Sequence, residues 1–199
     1  MLREKCHFFF CLPITHEDFL NEYLHPTKDF IRLYRKNDPA QAWTNYYDEI
    51  VDPYTSFSDY FGRYGLHFTS NGTFAQFTDL VNSQAADVLL FVTHCKDGGC
   101  PSESLEFYDR MVTSDELLNT ELVPYPLLLD ISVCKPLYLK EEMPKFHSSY
   151  TPFVSGEGRD LATWLYFYAE IFAKMIDKNT RYLPTFLEVY KKFQPSHGK

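Results

Sequence analysis

Two uninterrupted apolar runs constrain the fold of this chain more than any other feature. Residues 86–93 read ADVLLFVT, and residues 126–134 read PLLLDISVC. Runs of this length, in which polar and apolar residues do not alternate, are typical of strands buried on both faces of a parallel sheet. The first run leads directly to His94, and the second ends in Cys134. We therefore expect two buried strands, each followed by a side chain that can take part in chemistry.

The rest of the chain alternates strand-like and helix-like segments. Residues 6–12 (CHFFFCL) and 66–69 are further predicted strands. Apolar residues at helical spacing predict one long helix from Leu161 to Met175 and another over residues 184–193. Helix caps are predicted at three threonines: Thr15, Thr73 and Thr113. This alternation predicts an α/β fold in three layers, with a mostly parallel central sheet flanked by helices.

The length of the chain favours a single domain. It has 199 residues, of which 45% are hydrophobic, so one sizeable core can be built. Residues 37–64 are rich in aromatic side chains and have no clean period. We interpret residues 1–199 as one domain, with an irregular helical insertion at about 26–64 that forms a lobe.

Charge and cysteine content exclude several classes of function. The formal net charge is −8, whereas proteins that bind nucleic acid backbones need clustered Lys and Arg. No apolar segment reaches the roughly 18 residues that a membrane span requires. The five cysteines are odd in number and are not spaced as a disulfide framework, which favours reduced thiols and a cytoplasmic location. We expect neither nucleic acid nor membrane as a direct partner.

His94 and Cys134 are the candidate catalytic residues. The carboxyl ends of parallel strands share one rim of a sheet, which is where ligands bind in such folds. An imidazole near a thiol can take its proton and so activate the sulfur as a nucleophile. The alternative for either residue alone is a structural role, because buried cysteines and strand-ending histidines are common in protein cores.

The sequence around these residues resembles the caspase-like cysteine peptidases of clan CD, particularly the bacterial CHAT branch. The matching stretches are residues 86–99, residues 104–118 (SLEFYDRMVTSDELL) and residues 126–136. In that family a strand ends in the catalytic histidine, a small hairpin and a helix containing "DEL" follow, and the next strand ends in the catalytic cysteine. The 40 positions between His94 and Cys134 are similar to the family's interval. The resemblance covers about 130 residues.

The resemblance implies a cysteine endopeptidase with Cys134 as nucleophile and His94 as general base and acid. It also implies a protein or peptide substrate, a regulatory protein partner, and a place in a bacterial defence or signalling system. By strand alternation, Asp130 and Ser132 share one side of the strand with Cys134, and we predict that they bind substrate. The acidic chain favours cleavage after Lys or Arg.

Other functions remain open at this point. A catalytically silent caspase-like module could keep the fold and use the aromatic lobe, residues 34–64, as a docking surface. A flavodoxin-like or TIR-like signalling domain has the same alternation of elements. The cluster of His94, Cys95, Asp97 and Cys100 does not have the usual spacing of a zinc site. We therefore expect no metal, and since the chain contains no glycine-rich phosphate loop, we expect no nucleotide or other cofactor.

Overall fold

A parallel five-stranded sheet forms the centre of the molecule. The computed structural model describes residues 1–25, 30–96, 103–132, 137–153 and 161–193. The strands of the sheet are β1 (Cys6–Phe10), β2 (His67–Thr69), β3 (Val88–Val92), β7 (Leu127–Ser132) and β8 (Tyr150–Phe153). Their spatial order is β2-β1-β3-β7-β8, and every neighbouring pair is parallel.

Helices cover both faces of this sheet. The side chains of one apolar cluster come from α1 (His16–Leu24), α2 (Pro39–Tyr46), α3 (Asp52–Gly62), α7 (Leu161–Lys178) and α8 (Tyr182–Phe193). The cluster on the opposite face comes from α4 (Phe74–Asn82), α5 (Ser114–Leu118) and α6 (Leu137–Phe146). The predicted three-layer α/β fold with its mostly parallel sheet is therefore confirmed.

The first strand shows why the sheet needs two helical layers. Phe8 and Phe10 point into the cluster that contains α3 and α7, whereas Phe9 points into the cluster that contains α4. All three side chains are fully buried. Successive side chains of a strand point to opposite faces, so an apolar residue at every position must be covered on both sides.

Threonine caps begin three of the helices. The Thr15 hydroxyl accepts a hydrogen bond from the Asp18 N–H at the start of α1. Thr113 accepts one from the Glu116 N–H at α5, and Thr73 forms a complete capping box at α4. Each cap satisfies a backbone N–H that has no partner within its own helix. The three predicted caps are confirmed.

The segment between α1 and β2 is largely helical. A 3₁₀ helix spans Phe30–Tyr34, and a π-helical turn at Tyr47–Val51 joins α2 to α3 without a break. The aromatic side chains of this segment pack on the sheet and on one another: the rings of Phe10 and Tyr54 stack with their centroids 4.3 Å apart. This packing joins the segment to the main core.

A small antiparallel sheet lies between β3 and β7 in the chain. It consists of β4 (Cys95–Lys96), β5 (Ser104–Glu106) and β6 (Met111–Thr113), in that spatial order. The strand β4 starts three residues after the end of β3, so the small sheet is attached to the carboxyl end of β3. In the part of the chain that the structure describes, no helix combines the length and the apolarity needed to cross a membrane.

Candidate active site at the carboxyl rim of the sheet

The five parallel strands end at one rim, and β3 and β7 each end two positions before a candidate residue in the sequence. Strands β3 and β7 are direct neighbours, and Val92 pairs with Ser132 at their carboxyl ends. His94 follows Val92 by two positions, and Cys134 follows Ser132 by two positions. Crevices beyond the carboxyl ends of parallel strands are the usual ligand sites of such sheets.

Two described contacts involve His94 itself, and a third involves the residue before it. Its side chain is half-buried, and its ring centroid lies 5.5 Å from that of Phe30, with an interplanar angle of 52°. Its backbone carbonyl accepts a hydrogen bond of 2.9 Å from the Glu106 N–H. The preceding residue, Thr93, is buried and donates its hydroxyl to the Glu106 carbonyl. The histidine is thus fixed where the main sheet meets the small sheet.

The other half of the predicted pair, Cys134, lies outside the described residues. Ser132 is the last residue of β7, and its backbone pairs with Val92. The chain is described again from α6, which starts at Leu137. The catalytic role of Cys134 and the substrate-binding role of Ser132 therefore stay predictions.

Asp130 lies inside the molecule, on the face that is covered by α7 and α8. Its side chain is fully buried, and its carboxylate accepts hydrogen bonds from the hydroxyls of Tyr182 at 2.7 Å and Tyr168 at 3.3 Å. Burial, together with the negative charge of Asp130, raises the pKa of the Tyr182 hydroxyl well above its ordinary value. These contacts show that Asp130 joins the sheet to two helices. Its predicted contact with substrate stays a prediction.

A hydrogen-bond network ties together the loops near the rim. The Asp18 carboxylate accepts from the Thr15 hydroxyl at 2.6 Å, the Asn71 amide at 2.8 Å and the Tyr108 hydroxyl at 2.5 Å. Burial and the neighbouring charge of Asp18 raise the pKa of Tyr108 to about 12. The loops that follow β1, β2 and β5 are therefore connected through one carboxylate.

Two buried glutamates near the rim were missed by the reasoning from sequence. Glu103 and Glu106 are 4% and 1% exposed. The Glu103 carboxylate accepts hydrogen bonds of 3.3 Å from the Ser114 hydroxyl and from the Tyr138 N–H near the start of α6. The Glu106 carboxylate accepts one of 3.1 Å from the Phe30 N–H. The one feature of the sequence that could have indicated a buried glutamate is the position of Glu106 between the apolar Leu105 and Phe107.

The remaining candidate ligands and thiols do not form a second site in the described residues. Cys6, Cys11 and Cys95 are buried thiols. Across residues 1–25, 30–96, 103–132, 137–153 and 161–193, no group of three or more His, Cys, Asp or Glu side chains could hold a metal ion. Asp97 and Cys100, which belonged to the alternative metal cluster, lie outside those ranges.

The sequence was also compared with known proteins. Neither the scan against protein-family models nor the search of curated proteins gave a match.

Proposed function

We propose that this chain is a caspase-like cysteine endopeptidase in which Cys134 is the nucleophile and His94 the general base and acid. The observation that carries the proposal is the pairing of Val92 with Ser132 in adjacent parallel strands. Each of these paired residues stands two positions before a candidate residue in the sequence. A thiol and an imidazole close enough to exchange a proton are what a cysteine nucleophile needs.

The order of elements after His94 supports the same family. The small antiparallel sheet β4–β6 comes first, followed by α5, which carries the "DEL" residues, and then by β7. The family that the sequence resembles has a small hairpin, a helix and a strand in this order between its two catalytic residues. The order of elements in the structure therefore agrees with the order that the resemblance implies.

The proposed reaction is hydrolysis of a peptide bond in two steps. The Cys134 sulfur attacks the scissile carbonyl carbon after His94 has taken its proton. Backbone N–H groups stabilise the oxyanion, and His94 gives the proton to the leaving amine as the C–N bond breaks. A water molecule then gives a proton to His94, attacks the thioester and releases the carboxylic acid and the free thiol. The substrate is a protein or peptide, and no cofactor takes part.

A second candidate function, a catalytically silent interaction module, is favoured by one specific feature. A groove of about 500 Å³ runs between α3 and α7 and is lined mainly by apolar side chains, including Phe57, Leu165 and Ala169. Tyr60 and Tyr166 border it and are 52% and 68% exposed. Exposed apolar grooves of this kind are typical of sites that bind other proteins. The helix α3 belongs to the lobe that the sequence predicts as a docking surface.

Hydrolysis of a quenched fluorescent peptide library by purified protein distinguishes the two functions. We expect that Cys134→Ala and His94→Ala each abolish cleavage, while the free energy of unfolding of Cys134→Ala stays within about 2 kcal/mol of wild type. Cys6→Ala is the matched control, because Cys6 is fully buried in the core and burial raises the pKa of its thiol. Cleavage that persists in Cys134→Ala would exclude Cys134 as the nucleophile, and the absence of cleavage by the wild type would favour the interaction module.

A further inference from the structure

Glu106 is a buried carboxylate that contacts two separate parts of the chain next to His94. Its side chain is 1% exposed and accepts a 3.1 Å hydrogen bond from the N–H of Phe30, the first residue of the 3₁₀ helix. A partly buried backbone N–H that loses its acceptor destabilises the folded chain. The carboxylate therefore fixes the backbone of Phe30.

The backbone of Glu106 fixes the other partner. Its N–H donates to the His94 carbonyl at 2.9 Å, and its carbonyl accepts the Thr93 hydroxyl. The ring of Phe30 lies against the ring of His94 at a centroid distance of 5.5 Å. Glu106 therefore holds the backbone of His94 directly. Through its bond to Phe30, it also holds the aromatic ring that lies beside the imidazole.

We propose that Glu106 is a positioning residue for His94, acting through Phe30; what the positioned imidazole then does rests on the proposed peptidase function. The ring of Phe30 limits the orientations of the imidazole, and Glu106 keeps that ring in place. Small displacements of a catalytic group reduce rates strongly, because the reacting atoms must be aligned. In the proposed role, Glu106 itself touches no reacting atom.

Two measurements on the full chain test this role. The first is the ring-current shift that Phe30 imposes on the imidazole protons of His94, measured by NMR. The second is the second-order rate of alkylation of Cys134 by iodoacetamide. We expect Glu106→Ala and Phe30→Ala each to remove or reduce the shift and to slow alkylation by about tenfold. The double variant should be no slower than either single variant, because both changes act on one contact.

Conservative and matched variants separate positioning from general stability. Glu106→Gln keeps an oxygen that can accept the Phe30 N–H, so both readouts should stay within about twofold of wild type. Glu4→Ala removes a comparable contact elsewhere, because the Glu4 carboxylate accepts the N–H of Tyr182 at 2.5 Å at the start of α8. It should lower stability and leave both readouts unchanged.

The outcomes also separate this inference from the proposed function. Unchanged ring-current shifts in Glu106→Ala would overturn the positioning role, whatever the rate of alkylation. A changed ring-current shift in Glu106→Ala would support the positioning role. If Cys134 is alkylated at the same rate in the wild type and in His94→Ala, the proposed peptidase is overturned while the positioning role stands. If Glu106→Ala does not fold, the shift is measured in Glu106→Asp, whose side chain is one methylene too short to keep the bond to the Phe30 N–H: a reduced shift supports the role, and an unchanged shift overturns it.

Discussion

Val92 and Ser132 are register partners at the carboxyl ends of two adjacent parallel strands. Each stands two positions before a candidate catalytic residue, His94 in one case and Cys134 in the other. Two residues that are forty positions apart in the sequence are thus paired at the same end of the sheet. The proposed chemistry depends on this pairing of Val92 with Ser132. The first three predictions below concern the stability of the fold.

The first prediction concerns the buried hydroxyls around Asp130. Tyr182→Phe removes the 2.7 Å hydrogen bond from Tyr182 to this carboxylate, which is shorter than the bond from Tyr168, and leaves the buried Asp130 side chain with one donor fewer. We expect a loss of about 1–3 kcal/mol in the free energy of unfolding, measured by urea denaturation. Tyr166→Phe on α7 is the control, since Tyr166 is 68% exposed. Equal stability of the two variants would show that the contact to Asp130 contributes little.

The second prediction compares two glycines. A Cβ at Gly72 would lie 2.3 Å from the ring of the fully buried Phe9, whereas a Cβ at Gly62 would meet nothing nearer than 4.0 Å. Gly72→Ala should cost about 1–3 kcal/mol, because the core has no room for the methyl group. Gly62→Ala in α3 should stabilise the protein by up to about 1 kcal/mol. Thermal unfolding of both variants tests the pair, and a stabilised Gly72→Ala would contradict the packing described here.

The third prediction is a pH dependence that arises from His7. Burial, and then the positive charge of neighbouring His67, lower the pKa of His7 to about 4. The folded state therefore favours neutral His7, so this stabilisation is complete above the unfolded pKa of about 6.5 and is lost as pH falls through 4. Because His7 is only partly buried, we expect an effect on the order of 1 kcal/mol. Urea unfolding between pH 7 and pH 4 should show a shallower decline for His7→Gln; parallel declines would exclude His7 as the cause.

The fourth prediction concerns the charge of the substrate. The chain has a formal net charge of −8, and two carboxylates accept hydrogen bonds near the rim: Asp18 in the first turn of α1 and Asp109 between β5 and β6. An acidic surface raises the local concentration of cationic ligands, so peptides with Arg or Lys at the scissile position should be cleaved at least about tenfold faster than peptides with Asp. The preference should weaken as salt is added. A panel of fluorogenic peptides measures it, and a preference for Asp would overturn the charge argument alone.

The central strands could be predicted from the sequence because their apolar runs leave few alternatives. The run 86–93 contains β3 and the run 126–134 contains β7, and both strands are buried in the sheet as expected. The caps at Thr15 and Thr113 could also be predicted, since a hydroxyl with an acid three residues on has a local physical meaning.

Other features depend on tertiary contacts that no local pattern shows. The edge strand β8 is four residues long and contains Pro152, which a strand tolerates at a sheet edge and rarely elsewhere. The helix α6 contains Pro144, which weakens its helical pattern. The buried Glu106 carboxylate accepts its hydrogen bond from Phe30, which is 76 positions away in the chain. Such pairings decide the surroundings of His94, and the sequence alone does not specify them.

The most direct test of the Cys134–His94 pair is the rate of Cys134 alkylation as a function of pH, followed by mass spectrometry of the labelled peptide. An activated thiol reacts well below the ordinary thiol pKa of about 8.5, so we expect substantial labelling near pH 6–7 in the wild type. In His94→Ala the midpoint should move up to about 8.5 or above. A wild-type midpoint near 8.5 that does not change in His94→Ala would contradict the proposed active site.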